Sequence, residues 1–120
     1  MVRALRGATT VEANDAEQII KETGVLLGKI VEENNLDTED IISAIFSVTD
    51  ELDAAFPAAA ARRLGWNHLA LMCTREINVP GSLKMCIRVM MHVNTEKKNA
   101  ELRHVYLKEA RALRPDLSDG

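Results

Sequence analysis

Met85, Cys86, Ile87, Arg88, Val89, Met90 and Met91 form the most apolar stretch of the chain, with an arginine at its centre and with His92 and Val93 following. As a strand, the stretch presents Met85, Ile87, Val89, Met91 and Val93 on one wholly apolar face. The opposite face, counted from Lys84, carries Cys86, Arg88, Met90 and His92. An isolated charge among apolar neighbours is costly, so Arg88 either reaches water or meets an anion. A plain solvent face seldom flanks its arginine with two soft apolar residues such as Cys86 and Met90. A subunit interface or a ligand cleft often does.

The segments on either side supply the rest of an α+β fold. Val2 to Thr9 reads as a first strand, and Asn14 or Asp15 offers an N-cap with Glu17 close behind. Ile19, Ile20, Thr23, Leu26, Leu27, Ile30 and Val31 then recur at helical spacing until Asn34 and Asn35 end the pattern. This predicts one long amphipathic helix. Ile41 to Val48 is apolar on both faces apart from two serines, as in a central strand covered on both sides. Phe56, Pro57 and Ala58 to Leu64 suit a short helix stopped by Gly65, with the proline in its first turn. Leu69 to Thr74 and Met85 to Val93 read as strands separated by a turn around Pro80, Gly81 and Ser82, and Arg103 to Leu107 as a last one. About five strands in a mixed sheet, with the long helix packed on one face, leave the Arg88 face uncovered. Self-association through that face is the economical cover.

The chain has 120 residues, enough for one domain over residues 1–120 but with little room for an enclosed pocket. A deep site is easier to build between subunits. The net charge of −3 gives no basic footprint for nucleic acid or an anionic membrane surface. No apolar run approaches the roughly 20 residues of a spanning helix, and the start resembles no signal peptide, so a cytoplasmic protein is expected. Cys73 and Cys86 both lie in apolar strand-like runs and fit no zinc spacing. His68, His92 and His104 are too scattered for a metal site. Neither cysteine sits in a glycine-flanked elbow, and Arg6, Gly7, Ala8, Thr9, Thr10 lacks the spacing of a nucleotide loop. What survives is a set of polar residues on or beside strands: Arg6, Glu76, Arg88 and Tyr106, with Arg62 and Arg114 in flanking segments. Each also has a plainer reading as a solvated, turn or core-edge residue, and the residues alone leave both open.

Longer segments carry a family resemblance. They are Arg3 to Glu12; Phe56, Pro57, Ala58; Cys73 and Glu76; Gly81, Ser82, Leu83, Lys84, Met85, Cys86, Ile87, Arg88, Val89, Met90, Met91; Arg103, His104, Val105, Tyr106, Leu107; and Leu113, Arg114, Pro115, Asp116, Leu117. In this order, over nearly the whole chain, they resemble the monofunctional trimeric chorismate mutases of the aroH class. Two departures are visible. Ala59 stands where that family often has a lysine, and the segment from Arg63 to Trp66 is one residue shorter. The distance from Phe56 favours Arg62 over Arg63 as the family's arginine.

The resemblance implies a homotrimer with a pseudo-barrel architecture and active sites at subunit interfaces. It also implies a pericyclic conversion of chorismate to prephenate, in aromatic amino-acid biosynthesis, with no cofactor, metal or covalent intermediate. By the same resemblance Arg88 would face the ether oxygen and the enolpyruvyl carboxylate, which Arg6 and Tyr106 would also bind. Glu76 and the backbone at Cys73 would take the ring hydroxyl. Phe56, Ala58, Leu71, Met72, Thr74, Arg75 and Leu113 would line the cleft, with Arg62 and Arg114 closing it. The competing reading is a trimeric small-carboxylate-binding or imine-deaminase-like protein of the same architecture.

Overall fold

The computed structural model describes residues 1–113. In chain order these form β1 (Val2–Thr10), α1 (Ala16–Asn34), β2 (Ile41–Val48), α2 (Ala58–Arg63), β3 (Ala70–Arg75), β4 (Cys86–Asn94) and β5 (Val105–Tyr106), followed by a 3-10 turn over Lys108–Leu113. The sheet is mixed, in the order β3-β2-β4-β1-β5. β4 runs antiparallel to both β1 and β2, while β3 and β5 pair in parallel at the two edges. The stretch with the arginine therefore forms the central strand.

Periodicity explains how the layers meet. Ile87, Val89, Met91 and Val93 are buried, and across them lie Leu5 and Gly7 of β1 and Ala44, Phe46 and Val48 of β2. Onto this face α1 lays Ile19, Ile20, Leu26, Leu27 and Ile30. The helix begins at the Asp15 side chain, which accepts from the Gln18 amide at 3.0 Å. It ends at Asn35, whose φ of 48° and ψ of 51° turn its amide back onto the last carbonyls. Gly7 sets how closely the layers approach. A Cβ there would stand 2.8 Å from the Ile30 Cδ1 and 3.3 Å from the Val105 carbonyl oxygen.

Asn34 does more than end the helix. Its buried side chain donates to the Arg103 carbonyl at 2.9 Å and accepts from the Arg103 amide at 2.7 Å, so it anchors the approach to β5. The strand expected over Arg103–Leu107 consequently shrinks to Val105–Tyr106, because Arg103 spends its backbone groups on Asn34. The strand expected from Met85 begins one residue later. Met85 is left-handed (φ 55°), a conformation outside any strand, and its amide donates to the Glu51 carboxylate. β2 also departs from expectation, since Ile42 and Ile45 are 40% and 39% exposed. Its second face stays open among the described residues.

Valine at position 7 would press branched carbons against the Val105 carbonyl and α1, whereas an alanine methyl meets chiefly side-chain ends that can rotate. Gly7→Val should lower unfolding free energy by about 2–3 kcal/mol in urea titration, and Gly7→Ala by clearly less. Burial pushes the Glu51 carboxyl up, but hydrogen bonds from the Thr49 hydroxyl and the Met85 amide, with Lys84 nearby, bring it below the ordinary value. A depressed folded pKa contributes stability that is present above the unfolded carboxyl pKa, about 4.3, and is lost as pH falls through the folded value. Glu51→Gln should therefore cost about 1 kcal/mol at pH 7, and the gap to the parent should narrow as pH falls below the ordinary carboxyl value in pH-dependent denaturation curves.

Candidate active site

The face of the sheet opposite α1, capped near β1 and β5 by Leu83 and the Lys108–Leu113 turn and open over β2 and β3, gathers most of the polar residues singled out by sequence. Pairing register puts Tyr106, Ala8, Arg88, Ser47 and Thr74 in one row across all five strands. Neighbouring strands lie about 4.8 Å apart, so the Cα atoms of Tyr106 and Thr74 each stand roughly 10 Å from that of Arg88. The next row holds Arg6, Met90, Ile45 and Met72. Arg6 is thus a diagonal neighbour of Arg88, at roughly 7–8 Å between Cα atoms.

Arg88 is partly buried, and its Nε lies 3.4 Å from Oε1 of Glu76. Glu76 follows β3 directly and is fixed at two points: its amide donates to the Val48 carbonyl at 2.8 Å, and its carboxylate accepts from the Ser47 hydroxyl. The carboxylate therefore reaches Arg88 from the adjacent strand pair and explains how the apolar strand holds its charge. The pairing is incomplete. Arg88 Nε is buried, and its approach to Glu76 does not form a directed hydrogen bond. On the other side of Ala8, the Tyr106 hydroxyl is also buried without a hydrogen-bond partner among the described residues. A buried donor left unpaired costs about 1–3 kcal/mol, so two in one row mark a place built to receive an acceptor.

The ring of Tyr106 packs with Ala8, Cys86 and Ala110 and is bordered by Leu83 and Leu113, which places Leu113 beside this row. Burial pushes the Cys86 thiol up to about 11 despite the pull of Arg88, so it stays protonated at neutral pH and is no nucleophile. Arg6 is held by its backbone, its amide donating to Nδ1 of His104 at 2.9 Å. Sequence spacing gave no sign of that contact between residues 98 positions apart.

The remaining predicted residues form a second group. Phe56, Cys73, Thr74 and Arg75 line a cavity of about 540 Å³ with Leu52, Pro57 and Val48. Neither Arg88 nor Tyr106 lines it. Strand alternation divides β3: Leu71 and Cys73 pack against the helix-side core, while Met72 and Thr74 point to the Arg88 face. Arg75 turns to Asp50, donating to its carbonyl at 2.9 Å. Phe56 is 70% exposed, and Ala58 is buried in the first turn of α2. Arg63 is engaged by Glu17 through two hydrogen bonds of 3.0 and 3.1 Å, whereas Arg62 is exposed. Of the two arginines, Arg62 is the one without such a commitment to α1. Arg114 lies outside the described residues. Among the described residues no cluster of histidine, cysteine, aspartate and glutamate is placed to share a metal ion, and no helix is long and apolar enough to cross a membrane.

Comparison with known proteins agrees over nearly the full length. The family model for chorismate mutase type I matches residues 2–117. The chorismate mutase AroH of Bacillus subtilis is 49% identical over 119 residues, covering 98% of this chain and 94% of the relative. That of Thermus thermophilus is 48% identical over 118 residues, covering 98% and 97%. A solved chorismate mutase from Clostridium thermocellum superposes with a TM-score of 0.90 at 58% identity, covering 92% of this chain and 98% of the other. With a sheet of this order, an arginine and a carboxylate paired on its open face, and matches of this extent, the chain belongs to the type I chorismate mutase family.

Proposed function

We infer that this chain is an isomerase that rearranges chorismate to prephenate, without a cofactor, in clefts between the subunits of a homotrimer. The observation that carries the reading is the pair of buried, unsatisfied donors, Arg88 Nε and the Tyr106 hydroxyl, set in one row with Arg6 diagonal to them. Chorismate carries two carboxylates and an enolpyruvyl ether. In its rearrangement the carbon–oxygen bond opens ahead of carbon–carbon bond formation, and negative charge builds on the ether oxygen. A fixed guanidinium beside that oxygen stabilises the transition state more than the substrate. Arg88 has this place, and its planar fork addresses the ether oxygen and a carboxylate together.

The other residues divide the work. Arg6 and Tyr106 hold the enolpyruvyl carboxylate, so the side chain stays folded over the ring and the reactive conformer is selected before reaction. Glu76 keeps the Arg88 guanidinium oriented and offers its second oxygen to the ring hydroxyl, aided by backbone at Cys73 on the edge strand. Phe56, Ala58, Leu71, Met72, Thr74, Arg75 and Leu113 form the walls, and Arg62 and Arg114 attract and enclose the dianion. No proton need leave or enter the protein.

Two features support shared clefts. The cavity beside Phe56 and Thr74 is not lined by Arg88 or Tyr106, so the halves are separate within one chain. On the Arg88 face Met72, Ile45 and Met90 remain 59%, 39% and 40% exposed in one row, an apolar strip suited to burial against another copy. A second chain seated there brings one chain's Phe56 group against another's Arg88 group. With that substrate the enzyme serves aromatic amino-acid biosynthesis, upstream of phenylalanine and tyrosine, and the cytoplasm is its expected compartment. The alternative of a trimeric imine-deaminase-like carboxylate binder is not favoured by the family match.

Purified protein given chorismate alone should form prephenate far faster than the uncatalysed background, and sedimentation should report three chains; chorismate decaying only at its background rate refutes the reading. Arg88→Ala should lower kcat/KM by at least about 10²–10³ with circular dichroism and assembly unchanged, and Arg88→Lys should recover part of the loss. Iodoacetamide at pH 8 should give native protein no more than one adduct, on Cys73, and denatured protein two, as read by mass spectrometry.

A further inference from the structure

We infer that the ion pair between Lys108 and Glu22 is a positioning device for the substrate cleft, fixing the path of the chain from Tyr106 to Leu113. The inference rests on the proposed chorismate reading for its kinetic consequence, but its geometry stands alone. Lys108 Nζ lies 2.5 Å from Oε2 of Glu22. Glu22 is on α1 and only 8% exposed, whereas Lys108 opens the 3-10 turn two residues after Tyr106.

Both partners are costly choices for stability alone. A carboxylate buried on a helix that packs against a sheet must be neutralised, and an apolar residue there would extend the core instead. Lys108 has a φ of 54°, the left-handed region where glycine would sit without strain. Strain of this kind persists where surrounding contacts over-determine it, and it gathers at functional sites. The contacts are present here. The Leu107 amide donates to the Ala8 carbonyl at 2.9 Å and the Glu109 amide to the Thr10 hydroxyl at 3.3 Å, tying the turn to β1. The Lys108 side chain ties the same turn to α1.

The place of the turn gives these ties their consequence. β5 is a two-residue edge strand with little hydrogen bonding of its own. Beyond it, Ala110 and Leu113 close the cluster around Tyr106, Ala8 and Cys86 on the Arg88 face. If the ion pair is cut, Tyr106 and Leu113 lose one of the supports that aim them, while Arg88, Glu76 and Ser47 on the other strands keep theirs. Arg6 and Arg88 still hold the carboxylate, so substrate capture should suffer much more than the chemical step.

The test uses the full chain with Glu22→Gln, Lys108→Met, Lys108→Gly and the exchanged pair Glu22→Lys with Lys108→Glu. Each single variant should raise KM for chorismate roughly tenfold with kcat within about twofold, and the exchange should restore most of the loss. Lys108→Gly separates strain from pairing: it should raise KM even where its melting temperature equals or exceeds that of the parent. The only tyrosine is Tyr106, so ring-labelled tyrosine gives a single NMR signal that reports its setting without substrate. That signal should shift in the single variants and return in the exchanged pair. Variants that lose only melting temperature, with KM and the Tyr106 signal unmoved, make the pair a plain structural staple and overturn the inference. Should the parent protein fail to turn over chorismate, the functional reading falls, and the Tyr106 signal alone then decides for or against the positioning role.

Discussion

The guanidinium of Arg88 rides on the central strand of the sheet, and the pairing of that charge constrains much of what surrounds it. β4 must bury its other face against α1, so Arg88 cannot turn away from the open face without burying a charge in the core. Glu76 answers it from the end of β3, and Ser47 and the Val48 carbonyl hold Glu76 in reach. Three strands are thereby committed to one ion pair. The pair is incomplete, because Arg88 Nε keeps an unused donor in a buried setting. A group so placed is stabilised further by any anion that enters, which joins the architecture to the chemistry.

The same logic bears on the part of the Arg88 face that stays open among the described residues. Among the described residues, α1 packs on one face of the five-stranded sheet, and Leu83 with the Lys108–Leu113 turn covers only part of the other. The open face keeps apolar Met72, Ile45 and Met90 beside cationic Arg6 and Arg88. Apolar area and cations thus share one face.

Much of the fold was legible because its signals are local. The Asp15 cap, the spacing from Ile19 to Ile30 and the alternation from Ile87 to Val93 each report burial by a single face, and local geometry converts that spacing into an element. Boundaries were less legible where side chains distant in sequence claim backbone groups. Glu51 takes the Met85 amide and Asn34 takes both backbone groups of Arg103, which shortens the strands that begin or pass there. The hold of His104 on the Arg6 amide and of Lys108 on Glu22 had no periodic signature either. Such contacts are single events between distant segments, so no repeat announces them.

The sequence by itself determined the composition of the site: which residue types were present, that an arginine interrupted the most apolar strand, and that the ordered segments resembled one family. Alternation along β4 also settled which face the arginine shares, since a strand offers only two. Tertiary structure decided the company. Register across five strands brought Tyr106, Ala8, Arg88 and Ser47 into one row from segments up to 98 residues apart, counting Tyr106 to Ala8. It also divided Leu71 and Cys73 from Met72 and Thr74, and left Arg62 free while Arg63 was drawn to Glu17. Periodicity fixes the direction of a side chain relative to its own strand, but its partner depends on how strands are ordered and aligned, and that is set by packing of the whole core.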